Sequence, residues 1–393
     1  MLVAEVTLMR TTVLAFLLSL AAAAQAATYH AGTPNNQLIS VGTKFDCATT
    51  LYDPDVYQLS DGRLLLWGQG GSGASCSKGI DSLYTARYTP AVNNWRVPLA
   101  TDCASITGPV VCDQYVPNVP DPTGPVASPA AVKIGSKVFM AYVGGNADLE
   151  RGRVNWAVGP DSALTLSVYP SAASPISLIT PTPTSKTFCQ HHGVGQVQLA
   201  YENGFFYFFV FYFHFTDGGD GPYSTIAYRI NYDSTNAWGL GTIRQIYNGA
   251  TNSWVAHNGN IIFDYDQAGG LPIYGNYDLR NLQFAGEGDI KWDPARQRWI
   301  HIWGGTDNNL YWQETTVLDT GSWSAPVAMD IAALRAKYPT SPILGPSFWY
   351  GDITADNVAN PRWYLFAPVH GGAVCPGGIF AGNSVAMMTL DFY

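Results

Sequence analysis

Charged side chains are scarce in this sequence: Lys, Arg, Asp and Glu together make up 12% of 393 residues. Long amphipathic helices need many Lys, Glu, Arg and Ala on their solvent faces, so the scarcity excludes a mainly helical protein. Positive charge is scarcer still, with 20 Lys and Arg against 29 Asp and Glu and a net charge of −9. Phosphate backbones are bound by clustered cations, so no nucleic-acid partner is expected. The chain has no Cys-x-x-Cys pair, which argues against a zinc ribbon or a dithiol redox site. It also lacks Gly-x-Ser-x-Gly and a P-loop, the signatures of α/β-hydrolase serine chemistry and of nucleotide triphosphate binding.

Long apolar runs are missing except near the start, where Val13–Leu20 follows Arg10 and leads into Ala24-Gln25-Ala26. That run is too short to cross a bilayer, and its small-residue end fits signal peptidase, so residues 1–27 read as a secretory signal. The mature chain, 28–393, is then expected outside the cytoplasm, with no membrane partner. All six cysteines (Cys47, Cys76, Cys103, Cys112, Cys189 and Cys375) fall in that part. An even count in an exported chain favours disulfides, with Cys103–Cys112 the closest pair and 15 pairings open in all.

What the chain has in quantity is aromatic residues, 13% of the total, with 40 glycines and 25 prolines. Such a composition favours strands and turns. One unit recurs: a short strand, a turn rich in Gly, Asp or Pro, then a strand of alternating aromatic and aliphatic residues. Its copies begin at Asp55–Leu59, Ala130–Ile134, Gln196–Ala200, Asp289–Trp292 and Asp352–Ala355. Third strands are read at Val154–Val158, Thr225–Arg229 and Asn309–Gln313. The proline clusters at 116–129 and 174–184 read as loops between units, and Ile331–Lys337 is the one convincing helix. Radial repetition of four-stranded sheets accounts for this spacing better than a sandwich or a β-helix, whose repeat is only about 20–25 residues. The expected fold is therefore all-β: a single-domain, five-bladed β-propeller. The last unit has no room for a fourth strand after Leu390, so residues near Tyr29–Ser40 are expected to supply it and close the ring.

The inner strands of a propeller line its central channel, which directs attention to polar residues at their entrances. Leu51-Tyr52-Asp53-Pro54-Asp55-Val56, followed by Asp61-Gly62-Arg63 and a strand, resembles the opening of glycoside hydrolase family 43 and its relatives in families 32, 62 and 68. The resemblance implies that an aspartate here is the general base of an inverting enzyme or the nucleophile of a retaining one. In the family motif that aspartate precedes the proline, which implies Asp53, although side chains alternate along a strand and Asp55 remains the other candidate. Gly286-Glu287-Gly288-Asp289 is similar to the family's general-acid segment. It departs from the family in lying in the fourth unit instead of the third, and Ser128 stands where the second unit would carry a further aspartate. Asp53, Glu287 and Asp289 are thus the expected catalytic residues, and Asp55, His192, Trp349 and Asp352 the expected substrate contacts.

His191-His192-Gly193 opens the third unit and resembles the His-Gly stretch at the channel axis of some family 43 arabinanases. The resemblance implies that His192 supports a calcium or chloride ion there, with no cofactor required for turnover. The activity implied is hydrolysis of an arabinan- or xylan-like polysaccharide by a monomer. The alternative is a non-catalytic, lectin-like propeller that stacks sugars on aromatic rings. A lectin tends to repeat its binding residues in each blade, whereas here the inner-strand openings differ (Asp53, Ser128, His192, Glu287, Asp352).

Overall fold

The computed structural model describes residues 27–34, 49–51, 54–57, 64–70, 80–89, 94–96, 126–144, 153–160, 166–171, 176–181, 192–216, 219–220, 224–248, 251–261, 288–305, 307–319, 323–339, 345–351, 362–370 and 383–393. All six cysteines lie outside these residues, as do Asp53, Glu287 and Asp352.

The described residues form a β-propeller. The first sheet comprises β2 (Thr49–Leu51), β3 (Leu64–Gly70), β4 (Ile80–Thr89) and β5 (Asn94–Arg96) in that spatial order. The second comprises β6 (Val126–Ile134), β7 (Lys137–Gly144), β8 (Arg153–Pro160) and β9 (Ser167–Val168). A larger sheet follows, built from β11 (His192–Glu202), β12 (Phe205–Thr216), β14 (Ser224–Tyr232), β15 (Leu240–Asn248) and β16 (Ser253–Ala256), with β13 (Gly219–Asp220) paired to the far end of β12. Next come β18 (Gly288–Asp293), β19 (Arg298–Gly304), β20 (Leu310–Thr315) and β21 (Val327–Ala328). The last sheet is β22 (Ser347–Gly351), β23 (Arg362–His370), β24 (Asn383–Phe392) and, outermost, β1 (Tyr29–Ala31). Successive sheets touch through their first strands: β6 packs on β3 and β4, β11 on β6, β18 on β11 and β22 on β18, while β2 meets β24.

Several expectations need correction. Four regular four-stranded blades are present where five were expected, because the β11–β12 hairpin is longer than a blade needs and its sheet carries extra strands. The paired strand of the first unit is Thr49–Leu51, and Pro54–Tyr57 is not a strand. Asp55 and Val56 instead bond across the axis to other sheets. In the last unit the inner strand is Ser347–Gly351, ahead of the expected Asp352–Ala355. The proline cluster at 116–129 ends inside β6, where the register slips between Ala127 and Ala130 and Ser128 takes a φ of 42°. Pro129 sits in that bulge, where a missing N–H costs no ladder bond. In the second cluster, β10 (Thr180–Pro181) pairs in parallel with β17 (Asn260–Ile261). The helix α1 spans Ala332–Lys337, one residue shorter than read from sequence.

Sequence dictates much of the rest. Asn203 and Gly204 both have positive φ, 50° and 81°, and close the tight β11–β12 hairpin with the twist that its strands require. β12 is apolar on both faces because it is sandwiched: Phe206, Phe208 and Val210 pack with Phe139, Trp156 and Tyr228, whereas Tyr207 and Phe209 pack with Trp299, Trp303 and Leu318. Residues of opposite parity on one strand thus serve two different inter-sheet cores. A third core joins Tyr29, Ile300, Trp312, Phe348, Leu365 and Met388, which anchors β1. Tyr29, His30 and Ala31 pair antiparallel with Phe392, Asp391 and Leu390. At this seam the Arg296 guanidinium lies 3.7 Å from the Phe392 ring centroid and pairs with Glu314.

Candidate functional site

The first strand of each sheet is an edge strand, so some of its backbone N–H groups point away from the ladder and need partners. Around the axis, side chains of neighbouring sheets supply them. Asp55 Oδ2 accepts from Ala131 N at 2.6 Å. Ser347 Oγ accepts from Val56 N at 3.1 Å and donates to Asp289 Oδ2 at 2.5 Å. Asp289 Oδ2 also faces Phe348 N at 3.4 Å, while its Oδ1 accepts from Ile290 N at 2.8 Å. Gln196 Oε1 accepts from Gly288 N at 2.8 Å. These bonds join the segment that follows β2 and the sheets that contain β6, β11, β18 and β22 into one polar belt. Gly288 is required at its position, because a Cβ there would run into the Ile302 carbonyl.

One cation sits in this belt. Lys291 Nζ donates to Asp55 Oδ1 at 2.6 Å and lies 3.2 Å from Asp289 Oδ1. Both aspartates are buried, at 5% and 6% exposure. Burial pushes the Asp55 carboxyl up to about 6; Lys291 opposes the rise and Asp289 adds to it. For Lys291 burial works against the charged form, but the two carboxylates outweigh it and the ammonium is held protonated. The two directions agree on one picture: a single ammonium neutralises one carboxylate, and the second carries the cost of a buried like charge.

The candidates read from sequence are distributed as follows. Asp55 and Asp289 meet at the axis, joined by Lys291. Asp53 and Glu287 precede them by two residues each, outside the described residues, and Asp352 is also outside. His192 is the first residue of β11 and pairs in register with His214; its side chain is not among those described. Trp349 lies two residues beyond Ser347 on β22, half-buried, with its indole against Gly351. Lys291, Ser347 and Gln196 were missed. Lys291 carried a signal, since residues two apart on a strand share a face and Asp289-Ile290-Lys291 puts opposite charges on one side. Ser347 and Gln196 carried none, because their partners lie on distant segments of the chain.

His192, expected to support a calcium at the axis, has its side chain outside those described. No group of three or more His, Cys, Asp or Glu able to hold a metal occurs among the described residues. The oxygens of Asp55 and Asp289 are taken by N–H, hydroxyl and ammonium donors.

No protein-family model matches the chain, and no curated protein matches it in sequence. Among solved structures it is similar to the catalytic domain of the family 62 α-L-arabinofuranosidase of Coprinopsis cinerea, with 11% identity over 92% of this chain and 97% of that one and a TM-score of 0.51. It is also similar to a family 117 glycoside hydrolase produced by the marine bacterium Zobellia galactanivorans, with 9% identity, 93% and 90% coverage and a TM-score of 0.50. A family 43 enzyme from Xanthomonas citri aligns at 13% identity over 90% of each chain with a TM-score of 0.48. The chain thus shares the propeller fold of the first two of these structures.

Proposed function

We propose that the protein is a secreted glycoside hydrolase that cleaves an arabinan- or xylan-like polysaccharide at the axis of its propeller. The observation that carries this reading is the junction of two carboxylate-bearing segments there. Asp53-Pro54-Asp55 and Glu287-Gly288-Asp289 have the same pattern, an acid two residues ahead of a second acid. Their second acids, Asp55 and Asp289, contact one ammonium. The larger sheet that begins at β11 is read as the third blade of a five-bladed ring, which Tyr29–Ala31 closes.

Glycoside hydrolysis needs two carboxyls with opposed tasks. One stays protonated and gives its proton to the leaving oxygen; the other stays ionised and attacks the anomeric carbon or activates water. Asp289 has both oxygens engaged by donors, and Asp55 likewise, so neither is free to do this work. Glu287 is assigned the acid role and Asp53 the ionised one, with Asp55 and Asp289 as the buried supports behind them. The fold likeness to an α-L-arabinofuranosidase supports a pentose-containing substrate.

Incubation with arabinans, xylans, fructans and galactans, followed by an assay of reducing-end release, tests the reading. Release from one polymer supports it and names the substrate class. Silence across the panel with retained binding in affinity electrophoresis overturns it in favour of a carbohydrate-binding propeller.

A further inference from the structure

Lys291 has no place among the reacting groups, yet it touches both acid-bearing segments. It lies on β18, two residues after Asp289 and so on the same face. Its ammonium reaches 2.6 Å to Asp55 on the segment that follows β2 and 3.2 Å to Asp289 on its own strand. The charges acting on Asp55 are those of Lys291 and Asp289. Among the described residues, the other groups bonded into this belt include neutral ones: Ser347 from β22, Gln196 from β11 and the Ala131 N–H from β6. Without the ammonium, two buried carboxylates would face each other and repel, and the segments that carry them would separate or take up a proton.

The geometry points to Lys291 as a positioning residue that clamps Asp55 to Asp289 across the axis and so holds together the two segments to which the proposed function assigns the reacting carboxyls. This inference rests on the glycosidase reading for its catalytic consequence but not for the clamp itself. Retaining and inverting hydrolysis need carboxyl separations that differ by only about 1–4 Å, and a misplacement of about 1 Å can cost about 100-fold in rate. A residue that fixes the spacing of the two segments therefore acts on the chemical step and leaves the outer sugar contacts alone. An arginine at 291 keeps a cation between the carboxylates, whereas methionine keeps the length and removes the charge.

The test uses the full-length protein and its Lys291→Met, Lys291→Arg and Lys291→Met/Asp55→Asn variants, with kcat and KM on the hydrolysed polymer and thermal unfolding at pH 4 to 8. The expected result for Lys291→Met is a kcat reduced about 10- to 100-fold with KM within about 3-fold of wild type. Its fall in Tm should grow with pH as the unpaired carboxylates ionise. Lys291→Arg should restore part of kcat. The double variant, in which the repulsion is gone but the clamp is still missing, should recover Tm without recovering kcat. Recovery of kcat together with Tm would show that Lys291 contributes only stability and would overturn the positioning role. An unchanged kcat in a folded Lys291→Met would do the same. If the wild type hydrolyses no polymer, the glycosidase reading fails. The clamp is then judged by Tm alone, and a pH-independent Tm difference between Lys291→Met and wild type overturns it.

Discussion

Ser347 and Asp289 stand on different sheets, 58 positions apart in sequence, and share a buried hydrogen bond of 2.5 Å. The same Ser347 hydroxyl takes the Val56 N–H of the segment that follows β2, so a single side chain of 0% exposure links that segment to two sheets. Replacing it with alanine leaves the Val56 N–H without its acceptor and an Asp289 oxygen without its hydroxyl donor. Ser347→Ala is expected to cost about 2–4 kcal/mol, the sum of one unsatisfied buried donor and one weakened charged acceptor. Urea unfolding of the two proteins, compared at equal m, measures it.

Asp55 gives the propeller a pH signature of its own. Burial is the chief reason its carboxyl is pushed from the ordinary 3.8 up to about 6. The folded state therefore binds a proton that the unfolded state has released between those values, and stability from this group is present at pH 4 and lost as pH rises through 6. The loss is on the order of 2–3 kcal/mol. In Asp55→Asn the group cannot titrate, so the stability of the variant relative to wild type should climb between pH 4 and pH 7. Tm profiles of the two proteins across that range show the climb or its absence.

Gly288 separates Glu287 from Asp289, and its backbone N–H is held by Gln196. Alanine at 288 meets the Ile302 carbonyl and the Cα and Cβ of Trp303, which belong to the neighbouring strand and cannot give way without moving β19. Gly288→Ala is expected to destabilise the protein by about 3 kcal/mol or more, within the range for overpacked sites. Gln196→Ala, which only empties the acceptor, should cost about 1–3 kcal/mol. Paired chemical denaturation curves rank them.

Arg296 provides the contrast, because it lies at the seam between β1, β20 and β24, away from the axis. Its guanidinium packs on Phe392, Tyr29 and Trp312 and pairs with Glu314. Arg296→Ala should destabilise the fold by about 1–3 kcal/mol through lost stacking and pairing. Its kcat on the hydrolysed polymer should remain that of wild type. Tm and kcat measured on one preparation separate the two effects.

Periodicity was strong where strands are sandwiched between sheets. The aromatic run of β12 and the alternating β7 and β19 were legible, as were the turns at Gly135-Ser136 and Asn203-Gly204 and the outer strand at Tyr29. Legibility failed at the inner edge of the sheets. Asp55–Leu59 reads as a strand, but its Asp55 and Val56 spend hydrogen bonds on other sheets, and Ser347–Gly351 has too few residues to announce itself. For the site, the acidic residues stood out because buried carboxylates are rare in a chain with 12% charge. The cation between Asp55 and Asp289 did not, since its contact with Asp55 spans 236 residues of sequence. Only the packing of the sheets on one another brings those segments together.

The most direct measurement is reducing-end release from the polymer that the wild type cleaves, made on Asp53→Asn and Glu287→Gln with circular dichroism confirming that both are folded. The proposed carboxyl pair predicts that each substitution removes at least about 100-fold of the rate, the lower end of the range for acid–base groups. Wild-type turnover in either folded variant would contradict the assignment of that residue, and in both would remove the site from the axis.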